Sequence, residues 1–284
     1  MRGLFKGRVV VAFDAHAVSS AVVRRGLLGA RVAGVSRASL PEGALLPSAF
    51  ERNLVRPDEV QQAVREAVGP ASGTGSEVTL VLPHGIARVG VLDLPRGAEP
   101  TEYARFKLAA SVPRFASDAI VDFLPLDGGR ILAAAVRREV VAEYEEAAAA
   151  AGMAKGRVDL APLAAASGFL RLVRGPSTPA VLVVLGDVAC SLQAYEDGRL
   201  RAVRARRRDP GRGEAERLRL DALRTASAAG VPGEPELLLT GSGARGILDH
   251  LAAAGRAARL MSPVPDAGPL HEAASRPWLA AAWS

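Results

Sequence analysis

The sequence predicts an α/β fold of two lobes, each a β-β-β-α-β-α unit, with a small β-α-β-β subdomain inserted in the first. Three observations carry this. Two segments, Val9–Gly26 (VVVAFDAHAVSSAVVRRG) and Val181–Gly198 (VLVVLGDVACSLQAYEDG), lie over each other without a gap. Each is followed by a third strand, then a helix and a strand in the same order, as a duplicated unit should be. Between the copies, Gly175-Pro176-Ser177-Thr178-Pro179 reads as a linker. On this reading residues 1–174 form the first lobe, with an insert at about 86–136, and residues 180–284 form a second, abbreviated lobe.

The elements follow in order. Arg8–Phe13 is a short β-branched, apolar run and predicts a buried strand; Val18–Val23 and Ala30–Val35 complete a meander. Arg56-Pro57-Asp58 begins a helix with Asp58 as its cap and Gln61 at the capping-box position. Val60, Ala63, Val64, Ala67 and Val68 make one face apolar, and Gly69-Pro70 ends the helix, opening a loop through Ser76. Val78–Leu82 is a buried strand that ends at Pro83-His84-Gly85.

In the insert, Ile86–Leu94 predicts a strand. Thr101 caps a helix that ends before Pro113. Ala119–Leu124 and Arg130–Val136 are strands around the turn Asp127-Gly128-Gly129. A helix over Arg138–Ala151, closed by Gly152, leads to a short strand at Val158–Leu160 and a helix over Ala161–Leu172. In the second lobe Ala180–Leu185, Ala189–Tyr195 and Arg199–Ala205 form the meander, with Glu196-Asp197-Gly198 as its hairpin turn. A helix over Glu214–Ala229, a strand at Glu236–Thr240, a helix over Ala244–Ala254 and a strand at Arg259–Met261 follow. A short apolar helix around Trp278–Trp283 is expected to pack on the second lobe.

Composition narrows the function. Hydrophobic residues are 49% and charged residues 23%, which is globular. No apolar run reaches the ~20 residues of a membrane-spanning helix, and no secretory signal is read at Met1–Arg8, so a cytoplasmic protein is expected. A lone cysteine, Cys190, excludes a disulfide framework, and His16, His84, His250 and His271 lack metal-ligand spacing. Cys190 reads as a small buried hydrophobe. The net charge of +6 rests on arginine, since only Lys6, Lys107 and Lys155 are lysines. The cluster Arg201, Arg204, Arg206, Arg207, Arg208 and Arg212 has no interleaved aromatics to stack on bases, so it reads as solvated loop charge or a lipid-headgroup contact, with no specific nucleic acid. No Gly-x-Ser-x-Gly elbow exposes Ser19 or Ser20 as a nucleophile.

A duplicated unit of this plan is that of actin-like (ribonuclease H-like) nucleotide-binding proteins, whose lobes face each other across a cleft. Working members carry an Asp-x-Gly-type loop at the first turn of each meander: glycine admits backbone amides to phosphate, and the carboxylate organises magnesium and water. Leu239-Thr240-Gly241-Ser242-Gly243-Ala244 stands where a nucleoside loop is expected. The phosphate loops are degraded. Across the ungapped repeat, Ala12 and Val184 hold the carboxylate positions, Gly186 keeps one glycine, and Asp14 stands where the other belongs. A one-step shift makes Asp14 the acid but puts His16 at the glycine. Either way the first loop is broken, and apolar Val184 cannot hold magnesium-bound water. Loss of ATP hydrolysis is expected, with Gly186, Asp187, Gly241, Ser242 and Gly243 as vestigial nucleotide-binding residues, no catalytic or metal residues, and no resident cofactor.

Several segments carry a resemblance to a family. Leu80–Leu94 followed by Pro95, the helix Glu102–Val112 running into Pro113-Arg114-Phe115, Asp122-Phe123, Leu132–Val136 with Arg137–Val141, and Ala150-Ala151-Gly152 before Val158-Asp159-Leu160 resemble, in order, the type IV pilus assembly protein PilM. The resemblance implies an actin-like cytoplasmic protein with an FtsA-type insert in its first lobe. It implies a scaffold beneath the inner membrane that holds the cytoplasmic segment of PilN, a single-span protein, and connects it to the pilus motor ATPase. The cytoplasmic domain of type II secretion GspL is related. The stretch from Gly186 to Gly241 is too short for a second-lobe insert, which departs from the family and favours a scaffold. The alternative is an ATP-binding switch or ATPase in which Asp14, Asp187 and Gly186 form an unusual magnesium site.

Overall fold

The computed structural model describes residues 8–26, 29–69, 77–109, 118–172 and 178–261, with Trp278 and Ala281. The expectations for the chain start, for residues 70–76, for Pro113-Arg114-Phe115, for most of the linker and for most of the tail lie outside those residues.

The first lobe opens with β1 (Arg8–Asp14), β2 (Ala17–Gly26) and β3 (Gly29–Ser39), an antiparallel meander. Helix α1 (Pro57–Val68) begins on its proline, whose fixed φ suits the first helical position. The N-cap is therefore Arg56, without a side-chain bond, and Asp58 sits inside the first turn instead of capping it. There its charge meets the positive end of the helix. Next come β4 (Glu77–Leu82), the insert, α3 (Arg138–Ala150), β8 (Ala154–Leu160) and α4 (Ala161–Leu172). The sheet order is β3-β2-β1-β4-β8, with the last two junctions parallel. β8 starts earlier than its apolar residues suggest. Gly156 makes this possible, because a Cβ there would lie 2.0 Å from the Val78 carbonyl oxygen.

The insert consists of β5 (Ala87–Asp93), α2 (Pro100–Ala109), β6 (Ala119–Leu126) and β7 (Arg130–Arg137), with sheet order β5-β7-β6. The α2 cap is Glu99, not Thr101: its carboxylate accepts the amides of Thr101 (3.1 Å) and Glu102 (2.6 Å). Central β7 is buried on both faces. Ile131 and Ala133 pack with Ala104 of α2, whereas Leu132, Ala134 and Val136 join the cores of the main body. Period-2 alternation thus seats the insert between its own helix and the lobes.

The second lobe has β9 (Ala180–Leu185), β10 (Ala189–Glu196), β11 (Arg199–Arg207), α5 (Glu214–Ala228), β12 (Glu236–Gly241), α6 (Ala244–Ala253) and β13 (Ala258–Leu260). Its order, β11-β10-β9-β12-β13, is that of the first sheet. The hairpin turn takes positive φ at Asp197 (50°) and Gly198 (70°), matching the twist of the strands. β11 carries its arginines further than expected, because the ladder with β10 runs to Ala189↔Arg207 and satisfies the backbone. Several of these arginines are paired, Arg201 with Glu196 and Arg206 with Asp221.

Each sheet buries one face under its own helices. Val60, Val64, Val140 and Tyr144 cover β1 and β4, and Leu218, Ala222, Ile247 and Leu251 cover β9 and β12. Between the sheets runs α4, with Ala164 against Val10, Ala12 and Val81, and Ala165 and Phe169 against Leu182 and Val184. Trp278 and Ala281 pack on the first sheet, not the second, in the cluster that Ala164 of α4 makes with Val10, Ala12 and Val81.

Candidate functional site

The turns after β1 and β9 meet across a cleft, beside the N-terminus of α6. They line a cavity of about 390 Å³ with Asp14, His84, Gly186, Asp187, Ser242 and Gly243 among its walls. Four of the five residues expected from the sequence therefore share one site. The fifth, Gly241, lies just behind it at the end of β12. Its φ is 100°, and a Cβ there would stand 2.0 Å from the Leu185 carbonyl oxygen. Only glycine lets β12 turn this closely over β9. The Ser242 amide then donates to Leu185 O at 2.8 Å.

Strand pairing settles which residue of the first turn answers to which of the second. In one meander Val9 faces Val22 and Asp14 faces Ala17. In the other Val181 faces Ala194, and the Gly186 amide donates to Ala189 O at 2.9 Å. The ungapped alignment reproduces both. Asp14 thus stands at the place of Gly186, and Ala15 at that of Asp187. Ala12 and Val184 stand at the carboxylate positions, buried in their ladders. The shifted register, with Asp14 as the acid and His16 as the glycine, is not the one the chain adopts.

Asp14 reaches across the cleft. Its Oδ1 accepts the Ala15 amide at 2.9 Å, and both of its oxygens accept the Asp187 amide at 3.2 Å. Burial, and then the Asp187 carboxylate, raise its pKa to about 6. His84, in the turn after β4, is buried and packs on the second lobe. A Cβ at Gly186 would come within 2.8 Å of its Cδ2. Burial, and then Arg208, push His84 down to about 4, so the ring is neutral at pH 7. Its Nδ1 and the Oδ2 of Asp187 are buried without hydrogen-bond partners.

Arg208 holds the second-lobe loops from behind. Its Nη1 donates to Gly186 O (2.6 Å) and Ser242 O (2.9 Å), while Nε and Nη2 donate to the Glu214 carboxylate at 2.8 and 3.1 Å. The sequence placed Arg208 in a solvated basic cluster. Only 6% of its side chain is exposed, and it is an interior tie. Cys190 is buried, and burial raises its thiol to about 11, as suits an inert core residue.

These residues do not fit a magnesium-bound triphosphate. The carboxylate positions are apolar, and a carboxylate already occupies the turn amides that phosphate would use. Among the described residues no group of three or more His, Cys, Asp or Glu side chains gathers to hold a metal ion.

No protein-family model matches the sequence, and no curated protein matches it. Solved structures do. A chain of the PilM-PilN type IV pilus biogenesis complex superposes with a TM-score of 0.72 at 19% identity, over 97% of this chain and 96% of that one. The chain has the actin-like fold. A Bacteroides thetaiotaomicron protein with an actin-like ATPase fold and unknown function superposes at 0.60, with 12% identity and 91% of each chain covered. The cytoplasmic domain of EpsL, an inner membrane component of the Vibrio cholerae type II secretion system, superposes at 0.51, with 13% identity over 82% and 81%. Among the described residues no helix is long and apolar enough to cross a membrane.

Proposed function

We propose that the chain is a non-catalytic scaffold of a type IV pilus, or related type II secretion, inner-membrane assembly. It works in the cytoplasm, peripheral to the membrane, and holds the cytoplasmic segment of a PilN-like single-span protein. The observation that carries this reading is the near full-length likeness to a chain solved in a PilM-PilN complex. The cleft supports the non-catalytic part, since Ala12, Val184 and the inward carboxylate of Asp14 leave no place for magnesium and phosphate. An ATP-driven switch is the weaker reading for the same reason.

The test is affinity capture of the tagged chain from its own cells in mild detergent, followed by titration of the captured membrane protein's cytoplasmic peptide against the pure chain. A single-span pilus or secretion protein whose peptide binds at a defined stoichiometry supports the scaffold. Intact pili and normal secretion after deletion of the gene would count decisively against it. Mg-ATP is expected to leave the melting temperature unchanged and to be hydrolysed no faster than in buffer.

A further inference from the structure

Between Glu196 and Arg224 ten arginines stand against six acids, so this short stretch holds four of the six net positive charges of the chain. The excess belongs to one copy of the repeat. In the second copy β11 and α5 carry eight arginines and three acids, whereas the equivalent β3 and α1 of the first carry three of each. The shared fold therefore does not require it. The structure sorts these arginines. Arg208 is interior, and Arg201 is paired with Glu196 at 2.7 Å. Five others gather on the outer flank of the lobe, where β11 is the edge of its sheet. Arg206 and Arg224 share the Asp221 carboxylate, which joins strand to helix. Arg204 lies two residues before Arg206 and so points to the same side of β11. Arg217 and Arg224 lie two turns apart on one face of α5. Arg217 also fastens the loop that carries Arg212, donating to the carbonyls of Asp209 and Arg212 at 2.8 and 3.2 Å. Only two carboxylates, Asp221 and Asp209, serve these five cations. Among the described residues neither Arg204 nor Arg212 has an ion-pair partner, and both are exposed. Leu220, 39% exposed, sits on the same face of α5 between Arg217 and Arg224.

We propose that this β11–α5 flank of the second lobe is a docking face for an anionic lipid bilayer, with its arginines on headgroup phosphates and Leu220 between them at the acyl boundary. Guanidinium groups are weakly hydrated and grip phosphate through a fork of donors. Each one near an anionic surface strengthens binding about fivefold, so several act together where one alone would not hold. An apolar side chain set among such charges gains only where it can leave water, as it does at a bilayer interface. A nucleic acid would meet the charges but not Leu220, and no aromatic stands between Arg199 and Arg224 to stack on bases. An added strand is disfavoured, because charged side chains guard the edge of β11. The inference goes beyond the scaffold reading, in which a partner brings the chain to the membrane. Here the chain touches the bilayer itself, and pure lipid tests this without any partner.

The test uses the full chain and sedimented vesicles. Phosphatidylcholine vesicles with about one-third phosphatidylglycerol are expected to carry the chain down at about 0.1 M salt, while phosphatidylcholine alone leaves it in solution. Raising the salt to about 0.5 M should weaken binding at least about tenfold. Arg204→Ala with Arg224→Ala should weaken it about 25-fold, whereas Arg65→Ala on α1 should leave it unchanged. Arg204, Arg224 and Arg65 are exposed, so these variants are expected to keep the wild-type melting temperature. Leu220→Cys bearing a polarity-sensitive dye should shift to the blue on the anionic vesicles; Cys190 is buried and does not take the label. Equal binding to both kinds of vesicle, no binding to either, or a double variant that binds like wild type overturns the proposal. Tighter binding of a short DNA duplex than of anionic vesicles at the same salt overturns it too, and would make the flank a nucleic-acid surface. An unshifted dye on vesicles that carry the chain down would place the contact on another face and overturn it as well.

Discussion

The two meanders share strand order, pairing register and turn position, yet their turns have diverged in opposite directions. The second keeps its glycine, Gly186, and lets a neighbouring imidazole rest against the backbone. The first has put a carboxylate at the same place and sends it to the second turn's amide. Neither keeps an acid at the position before the turn, where Ala12 and Val184 are buried. One backbone path can therefore carry different side chains at the same turn. The amides remain because the ladder needs those turns, while the side chains are free to become internal ties.

The largest effect on this comparison should come from Arg208. It is the clamp of the second turn and has no counterpart among the described residues at the first. Arg208→Ala strands the Glu214 carboxylate, 12% exposed, and the carbonyls of Gly186 and Ser242. A loss of about 3–5 kcal/mol is expected in urea unfolding, as for a broken buried pair. A loss below about 1 kcal/mol would show that the clamp is dispensable.

Next is Gly186→Ala. The new methyl meets His84 Cδ2 at 2.8 Å and Ala189 O at 3.0 Å, so a loss of about 2 kcal/mol is expected by the same measurement. Truncating His84 to alanine in the same chain should relieve part of that loss, because the imidazole is then no longer in the way. No relief would place the strain at Ala189 O alone.

The pH dependence separates Asp14, in the first turn, from His84, the imidazole packed on the second. Asp14, raised from 3.8 to about 6, holds its proton more tightly when folded. Its contribution to stability is present below about pH 4 and is lost as pH rises through about 6. His84, lowered from 6.5 to about 4, is the reverse: its contribution grows from about pH 4 and is complete above 6.5. Asp14 faces Asp187 and Arg37 and lies near Tyr144, and His84 lies near Arg208. Relative to wild type, Asp14→Asn should gain stability with rising pH over this window and His84→Gln should lose it, each on the order of 2–3 kcal/mol. Parallel curves for the two variants would break the opposition.

The smallest effect is expected at the exposed contact between insert and second lobe. Arg199 and Asp127 approach to 3.2 Å, but their side chains are 57% and 69% exposed. Arg199→Ala should cost under about 0.5 kcal/mol, with the loss vanishing at high salt. A larger loss would mean that this pair, and not the packing of Leu132 on the second core, seats the insert.

Much of this was legible in the chain. Apolar runs such as Val181–Leu185 placed the strands, glycine and proline placed their ends, and the ungapped repeat placed Asp14 opposite Gly186. Caps were read less well, since Pro57 and Glu99 moved the starts of α1 and α2. Arg208 was misread because nothing local distinguishes it from Arg207, and its partners Gly186, Ser242 and Glu214 are brought together only by the sheet. The Trp278 contact on the first sheet was misread because sequence shows that an apolar tail needs cover, not which face is still open.

The sequence by itself determined the duplicated α/β plan, the inserted subdomain and the apolar residues at both carboxylate positions, because periodicity and residue type are local properties. Tertiary structure decided that Asp14 turns inward to both repeat amides, that His84 is buried and neutral, and that Arg208 is a clamp. Each depends on which groups desolvate one another across the cleft, and that is set by the packing of two lobes whose contacting residues are far apart in the chain.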